Sequence, residues 1–500
     1  MIKAFFEIKK RIKIIFYFFS QYIKFYSFYF LYKFHFYNEY TSEFLLSFFV
    51  DHKLINSIKS NNFSVEKNRK IFSETKILYK KFAKLYPENP NLHISMSLAY
   101  VLSCKKNFLD CNEQLINLQN KLSKKYKKNY LVIEPGYSLL TIGSVFTLDA
   151  WIKSIKLGFA EKKQLILPIP DSIKKPANPT MLKYLSKYIK VIKGNSEVKK
   201  YLPQIKRHQC YHSHFINIKN KKIPYAHSSS VFVQNIWNKK KSKPLFNLNK
   251  EDLIKGKKIL EEMGVKRGSW FVTTHVRDAS FKNKEDYRDS DINSFYEAYK
   301  EIIDNSGYVI RMGDSGMNSV DFNFKDNKFI DYAKSKFKDH FMDVFLCAQA
   351  KFMLGTSSGL SAISYIFGTQ IALVNYVPTS TIYLRKGDIF TPPLFIDRRS
   401  NKKLSFKKTM STPYSLGIID GSYENILNVK LKKNSKEDIK FVAKEMIETL
   451  VKKKKYSKKD ERIQNKFKKI TLNNETLLGA KISIPCRISK YFLQKNCNLL

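Results

Sequence analysis

One loop combines the residue types that bind a phosphate group. Residues 355–359 have the sequence Gly-Thr-Ser-Ser-Gly and stand between an apolar run and an amphipathic segment that begins at Leu360. A loop in this position joins a buried strand to a helix N terminus, where N–H groups, hydroxyls and the helix dipole converge. The spacing differs from that of a P-loop and of a dinucleotide-binding loop. The loop therefore predicts a phosphate site, with ordinary helix capping as the alternative.

Arginines at the ends of two predicted strands favour the phosphate interpretation. The segment His-Val-Arg-Asp at 275–278 follows one apolar run, and Arg-Met-Gly-Asp at 311–314 follows another. A planar guanidinium suits a diphosphate, and arginine is scarce in this lysine-rich chain. Arg277 is the strongest candidate, whereas Arg311 and Arg288 could equally form structural ion pairs.

Alternating strands and helices must position these loops. From Tyr130 onwards, short apolar runs alternate with amphipathic segments, and one such helix is predicted to begin at an Asn249 N-cap. This alternation predicts parallel sheets, in which ligands lie outside the carboxyl ends of the strands. We therefore predict an α/β fold with two Rossmann-like lobes, in which the three polar loops share one sheet edge.

The order and spacing of several motifs resemble a known family. The resemblance covers about Ile142 to Leu450 and is to the bacterial glycosyltransferases related to fucosyltransferases, which often have TPR-like segments upstream. The motifs are the segments 275–278, 287–288, 307–314, 331–332, 343–347 and 355–359. The resemblance implies a GT-B-like pair of lobes, with an N-terminal lobe for the acceptor and a C-terminal lobe for a nucleotide-sugar. It also implies metal-independent, inverting transfer, with the nucleotide-sugar as a co-substrate and no cofactor.

The resemblance and the loop positions together define the predicted site. Arg277 matches the family's arginine that contacts the donor diphosphate, so it is predicted to be catalytic as well as donor-binding. The predicted donor-binding residues are His275, Arg277, Arg288, Arg311, Asp314, Tyr332, Gly355, Thr356, Ser357, Ser358 and Gly359. The base that deprotonates the acceptor hydroxyl is predicted to be Glu134 or Asp278, although Asp278 could equally orient an arginine.

No metal site is predicted. Asp289-Ser-Asp291 has the Asp-x-Asp spacing that binds Mn²⁺ in other transferases, but it directly precedes a helix, where Asp and Ser are favoured as caps. Four histidines (His208, His212, His214, His227) lack metal-ligand spacing, and His227 is at most an acceptor-side candidate. The six cysteines form no Cys-x-x-Cys pair, which indicates a reducing compartment and no structural zinc.

The composition excludes two further classes of protein. The 500 residues include 90 Lys and Arg against 43 Asp and Glu, a net charge of +47, but the charge is scattered and no nucleic-acid-binding signature is present. We therefore predict no nucleic-acid partner. A mean hydropathy of −0.36 excludes a protein with many membrane spans.

The chain ends are predicted to lie outside the two lobes. In residues 1–50, Lys13, Lys24 and Lys33 interrupt aromatic runs, which predicts a segment on an anionic membrane surface, or alternatively a helix packed on the protein's own core. Residues 51–128 predict paired, TPR-like helices or a helical cap. The enzyme would then be cytoplasmic, at the inner face of the membrane.

The predicted units are thus five. They are the membrane-surface segment 1–50, the helical segment 51–128, the acceptor lobe 129–245, the donor lobe 246–450 and a basic tail 451–500 whose final helix returns to the N-terminal lobe. The predicted function is transfer of a sugar to a cell-envelope saccharide or lipid-linked acceptor. The alternative is a non-catalytic scaffold with a degenerate glycosyltransferase fold.

Overall fold

A computed structural model describes the larger part of the chain. The described residues are 38–54, 65–86, 92, 95–96, 99, 129–133, 142–171, 178–201, 215–218, 221–224, 227–240, 243–278, 287–320, 322, 324, 326–411, 414–415, 422–471 and 484–500. The chain divides into two compact units, Met1–Tyr126 and Lys127–Leu500.

The first unit is helical where it is described. Helix α1 (Glu39–Phe48) begins at Asn38, whose side chain accepts the Thr41 N–H at 3.0 Å, and continues as a π-helix, Phe49–Leu54. Helix α2 spans Val65–Leu85. Apolar residues of both helices are buried, among them Leu45, Leu46, Phe49 and Phe82. In residues 38–50 these side chains pack inside the protein, and the membrane-surface segment 1–50 stays a prediction. Residues 1–37 and most of the predicted second helix pair lie outside the described residues.

Among the described residues, no helix combines the length and apolar character needed to cross a bilayer.

The smaller lobe of the second unit contains a three-stranded parallel sheet in the order β1-β2-β3. Its elements are β1 (Tyr130–Val132), α3 (Val145–Lys156), β2 (Gln164–Ile169), α4 (Pro179–Leu185), β3 (Ile189–Lys193), α5 (Asn195–Lys199), the antiparallel strands β4 (Phe215–Ile218) and β5 (Lys221–Pro224), and α6 (His227–Lys239). A short 3₁₀ turn, Ile142–Ser144, leads into α3. The three predicted parallel strands are confirmed, and α6 packs on α3.

The larger lobe contains a seven-stranded parallel sheet in the order β14-β11-β10-β9-β6-β7-β8. Its elements are α7 (Lys250–Glu262), β6 (Phe271–His275), α8 (Tyr296–Asp304), β7 (Tyr308–Arg311), β8 (Phe329–Ile330), α9 (His340–Gln349), β9 (Phe352–Gly355), α10 (Gly359–Phe367), β10 (Gln370–Leu373), β11 (Ile389–Phe390), β12 (Leu394–Asp397), α11 (Phe406–Thr409), β13 (Val429–Lys432), α12 (Lys436–Leu450), α13 (Lys458–Thr471), β14 (Arg487–Ile488) and α14 (Lys490–Lys495). Strands β12 and β13 form a separate antiparallel pair.

Helices cover both faces of the larger sheet. Successive strand residues point to opposite faces, so Phe271 joins the core with α9 and α10 whereas Val272 joins the core with α8 and α12. The first of these cores continues without a break into the smaller lobe. The architecture is therefore α/β, with a GT-B-like pair of Rossmann-like lobes, as predicted.

The C-terminal residues complete the larger sheet. Strand β14 pairs with β11, and Glu445 of α12 accepts hydrogen bonds from the Ser489 hydroxyl and the Lys490 N–H, both at 2.8 Å. These contacts hold α14 against α12 and α13 in the larger lobe. The prediction that the final helix returns to the N-terminal lobe is therefore wrong, because the strand that precedes it belongs to the edge of the seven-stranded sheet.

A buried polar network joins the two lobes. Lys153 of α3 donates to Asp149 at 2.6 Å and to Gln234 of α6 at 2.8 Å, and the Tyr365 hydroxyl of α10 donates to Gln234 at 3.3 Å. Burial lowers the pKa of Lys153, while Asp149 acts in the opposite direction. Removal of one partner from such a buried pair leaves an uncompensated charge, so the network favours one arrangement of α3, α6 and α10.

Candidate functional site

The three polar loops meet at the carboxyl edge of the seven-stranded sheet. Strands β6 and β9 are neighbours there, and the Thr356 N–H donates to the His275 carbonyl at 3.0 Å. The approach is so close that a Cβ on Gly355 would lie 2.1 Å from the His275 carbonyl oxygen. Glycine is required at this position because any side chain would displace the end of β6.

Arg277 is held by three groups at this edge. Its N–H donates to the Thr356 hydroxyl at 2.9 Å, and its Nε donates to Asp289 Oδ1, also at 2.9 Å. The Arg277 carbonyl accepts the Ser290 N–H at 2.9 Å. The Arg277 side chain is 18 % exposed and that of Asp289 is 15 % exposed, so the ion pair is largely shielded yet reaches solvent. The pairing fixes the guanidinium in one orientation.

The Asp-x-Asp segment has two separate structural roles. Asp291 caps a 3₁₀ turn and accepts the Asn293 N–H at 2.9 Å, which confirms the prediction of a cap. For Asp289 that prediction is wrong, because its carboxylate pairs with Arg277 instead. Among the described residues, no group of three potential ligands is placed to hold a metal ion.

Asn375 anchors the segment that positions Asp289. It follows β10, and its Nδ2 donates to the Ser290 hydroxyl at 2.9 Å. Asn375 and Asn434 exchange two hydrogen bonds, each through its N–H and the other's side-chain oxygen, at 2.7 and 2.6 Å. Sequence reasoning missed both residues. For Asn375, the available signal was a polar residue close after the end of the apolar strand β10.

Two helix N termini, one from each lobe, adjoin beside this loop. A Cβ on Gly359, the first residue of α10, would lie 2.6 Å from Ile142 Cγ2 and 3.1 Å from the Gly143 nitrogen. Gly143 belongs to the turn that opens α3. The first N–H groups of a helix have no partner within that helix, and its N terminus has a partial positive charge. This arrangement suits an anion. The Ser358 hydroxyl serves as the α10 cap and accepts the Ser361 N–H at 3.3 Å.

His275 presents a neutral imidazole at the same edge. Burial lowers the pKa of His275 to about 4, with Asp278 opposing the shift and Arg277 adding to it. Its Nδ1 is buried and has no hydrogen-bond partner among the described residues. At neutral pH the ring therefore has an unused hydrogen-bonding atom and no charge.

The low pKa of His275 predicts a pH dependence of stability. As pH falls, the unfolded chain takes up the proton first, near its ordinary pKa of 6.5, whereas the folded chain does so near 4. The stability due to the neutral ring is therefore complete above 6.5 and is lost as pH falls through the folded value. Between pH 7 and pH 4, we expect wild type to lose about 3 kcal/mol more free energy of unfolding than His275→Asn. Urea denaturation at both pH values measures this difference.

His340→Asn is the matched control, because His340 is exposed. It should retain the wild-type pH dependence. If His275→Asn also retained it, the proposed burial of a neutral ring at position 275 would be contradicted.

Arg311 is a structural ion-pair residue in this structure. Its side chain is 1 % exposed, and it donates to Asp331 at 2.8 Å and to the Asn318 carbonyl. The sequence left two roles open for Arg311, donor binding or a structural ion pair, and the geometry shows the ion pair. Tyr332 is likewise fully buried, and its hydroxyl contacts the Asp339 carbonyl at 3.0 Å. Burial raises the pKa of the Tyr332 phenol. Neither side chain is exposed at the sheet edge.

The remaining candidates lie at the rim of the site or outside the described residues. Asp278 accepts the Asn318 N–H at 3.3 Å, and Asp314 accepts the Gly316 N–H at 2.9 Å, so both hold the loop after β7. The Arg288 guanidinium lies 5.6 Å from the centre of the Tyr287 ring. His227 is the first residue of α6. The other candidates lie outside the described residues: Glu134, His208, His212 and His214. The identity of the base stays a prediction.

Among the solved structures, this chain has a partial likeness to the following two. No protein-family model and no curated protein sequence matches it. The E. coli ADP-heptose LPS heptosyltransferase II has 10 % identity and a TM-score of 0.34, over 63 % of this chain and 98 % of its own. The glycosyl transferase family 9 structure from Veillonella parvula DSM 2008 has 9 % identity and a TM-score of 0.35, over 65 % of this chain and 97 % of its own. Such low identities and TM-scores carry no argument about function, so any functional inference must come from the residues of this chain itself.

Proposed function

We propose that this protein is a glycosyltransferase that moves a sugar from a nucleotide-sugar to a saccharide or lipid-linked acceptor. The supporting observation is the position of Arg277, oriented by Asp289 and bonded to Thr356 beside the adjoining N termini of α3 and α10. A guanidinium and two helix N termini at the junction of two lobes form a fixed positive field. Such a field stabilises the diphosphate that leaves when the sugar is transferred.

The proposed reaction is a single displacement with inversion. The acceptor oxygen attacks the anomeric carbon from the face opposite the diphosphate, and the bond from that carbon to the diphosphate oxygen breaks. Negative charge then grows on the leaving group, where Arg277 and the residues 355–359 act. The acceptor proton passes to a carboxylate, Asp278 or Glu134. Because the positive charge is supplied by protein groups, we propose that the transfer needs neither a metal ion nor a cofactor.

Nucleotide binding followed by transfer tests the proposal. Thermal shifts with ADP, GDP, UDP, CMP and their sugars should identify one base, since ligand at about 100 times its Kd stabilises a fold by about 2.7 kcal/mol. The stabilising nucleotide-sugar should then be consumed in the presence of acceptor extracts, equally with EDTA and with Mn²⁺. Arg277→Ala should lose most of the thermal shift.

The outcomes separate three readings of the site. No thermal shift with any nucleotide would contradict the proposed function. Nucleotide binding without sugar transfer would support the non-catalytic scaffold. Transfer that stops with EDTA and returns with Mn²⁺ would contradict the metal-independent step alone.

We also propose that residues 1–37 bind an anionic membrane surface. Residues 38–50 of the predicted segment 1–50 are left out because Leu45, Leu46 and Phe48 of α1 are buried. Lysines interrupt the aromatic runs of residues 1–37, a pattern that favours the lipid–water interface. Full-length protein should float with phosphatidylglycerol vesicles, and protein lacking residues 1–37 should float less. Equal flotation would contradict this placement at the inner face of the cytoplasmic membrane.

A further inference from the structure

A basic groove lies along α13, the helix that is joined to the edge strand β14 through the Glu461–Arg487 ion pair. It has a volume of about 620 Å³, and the cations that line it are Lys458, Arg462, Lys466 and Lys469. These residues recur at intervals of four, four and three, so they lie on one face of the helix. At 1.5 Å per residue they span roughly 16 Å.

Within the described part of the chain, no carboxylate pairs with the cations of this stripe. Among the described residues, none of the four cations lies within ion-pair distance of a carboxylate, whereas nearby Lys490 pairs with Glu448 at 2.6 Å and Lys495 with Asp438 at 2.8 Å. The lysines of α14 are therefore matched with acids, and those of the α13 groove are not.

The two acids of α13 are already bonded to other groups. Asp460 is buried and accepts the Ser457 hydroxyl at 2.7 Å and Gln494 Nε2 at 2.7 Å. Glu461 lines the groove but pairs with Arg487 of β14 at 2.8 Å. Neither carboxylate offsets the stripe, so the groove has a net positive field.

A further cation lies beside the groove. The Arg487 guanidinium stacks on the groove residue Tyr456, 3.6 Å from the ring centre. Nε and Nη2 of Arg487 are buried, and no acceptor for them is found among the described residues. The Arg487 guanidinium therefore adds positive charge next to the groove without presenting free donors to it, and a groove lined by four cations favours an anionic ligand with several acceptor oxygens.

We propose that this groove binds a phosphate-bearing ligand at a site separate from the one that would transfer sugar. The sheet order places β14 four strands from β6, a separation of roughly 19 Å. The phosphate can belong to a soluble diphosphate or to the headgroup of an anionic phospholipid. A recess on one helix suits a small phosphate group better than a nucleic-acid duplex. The inference goes beyond the proposed function and does not depend on it.

Charge removal in the full chain tests this proposal. The groove variant combines Lys458→Gln, Arg462→Gln and Lys466→Gln. The control variant combines Lys250→Gln, Lys257→Gln and Lys258→Gln on α7, where the same number of exposed cations is removed from a helix that also has exposed glutamates. The probes are inorganic pyrophosphate, followed by calorimetry, and vesicles of phosphatidylglycerol in phosphatidylcholine, followed by co-sedimentation at low salt.

The groove variant should bind one of these probes roughly 100-fold more weakly than wild type, because each basic residue near an anionic surface contributes about 1 kcal/mol. The control variant should bind it as wild type does. A loss with pyrophosphate assigns a soluble phosphate ligand, and a loss with vesicles alone assigns a lipid headgroup. Both variants retain residues 1–37, so a contribution of that segment cancels in the comparison.

Two outcomes would overturn the proposal. Groove and control variants could bind both probes equally, or the groove variant could lose affinity only for random-sequence duplex DNA. A second groove variant, Lys466→Gln with Lys469→Gln, repeats the test without altering the first turn of α13. The nucleotide thermal shift of each groove variant should equal that of wild type, which separates this site from the proposed catalytic one.

Discussion

Arg277→Ala should lower the transfer rate constant of the folded protein by roughly 10²–10³-fold, equivalent to about 2.7–4 kcal/mol. The guanidinium is oriented by Asp289, and the Arg277 backbone N–H donates to the Thr356 hydroxyl at the sheet edge. Its loss removes a contact that strengthens as the diphosphate gains charge. Single-turnover kinetics with the nucleotide-sugar identified by thermal shift measure the effect.

Two further variants separate a catalytic role from a structural one. Arg277→Lys should recover little activity, because an ammonium cannot reproduce the planar guanidinium. Asp289→Asn keeps the guanidinium but weakens its orientation, so it should show an intermediate loss. If Arg277 served only as an ion-pair partner, Arg277→Ala would lower the melting temperature and leave the turnover of folded protein near normal. Melting temperature and rate must therefore be measured on the same preparation.

The regular elements of the larger lobe could be predicted from local sequence. Strand β7 has the predicted bounds, Tyr308–Arg311, because a glycine precedes four residues that are buried together. Asn249 accepts the Asp252 N–H at 2.7 Å, as its cap position predicts. In both cases the signal is local, because the pattern of apolar residues and the capping residue can be recognised within a few consecutive positions.

Elements that depend on distant partners could not be predicted in this way. Strand β14 has two residues and exists because β11 presents an open edge to it. Helix α6 begins with polar residues, and its packing against α3 includes the buried Gln234 and its bond to Lys153. Nothing in either segment specifies its partner, so only the tertiary structure reveals them.

The same limit applies to the candidate site. Arg277 and Arg311 both end strands at one sheet edge and are equivalent by sequence position. Burial separates them, because Arg311 is 1 % exposed in an ion pair whereas Arg277 is 18 % exposed and bonded to Thr356. The pairing of Asp289 with Arg277 could not be predicted from local sequence, since the two positions are twelve apart in the chain and only the tertiary structure shows the contact.

Gly355→Ala should both destabilise the protein and reduce nucleotide binding. An added Cβ would lie 2.1 Å from the His275 carbonyl oxygen and 3.1 Å from the His275 nitrogen. Both are backbone atoms of β6, so relief requires a shift of the strand end. Overpacking of this kind costs about 1–3 kcal/mol of unfolding free energy. The shift also moves the His275 carbonyl that accepts the Thr356 N–H, and Thr356 in turn bonds Arg277.

Gly316→Ala is the matched control for this prediction. Gly316 is exposed, and its added Cβ would meet only a side-chain oxygen of Asp314, at 3.2 Å. Its unfolding free energy should stay close to that of wild type. Urea denaturation measures the loss of stability in Gly355→Ala, and nucleotide titration below its melting temperature measures the loss of binding. If the variant is still folded but binds nucleotide more weakly, the weaker binding is due to displacement of the loop. Wild-type stability and wild-type nucleotide affinity in Gly355→Ala would contradict the close approach of β6 and β9 on which the geometry of Arg277 depends.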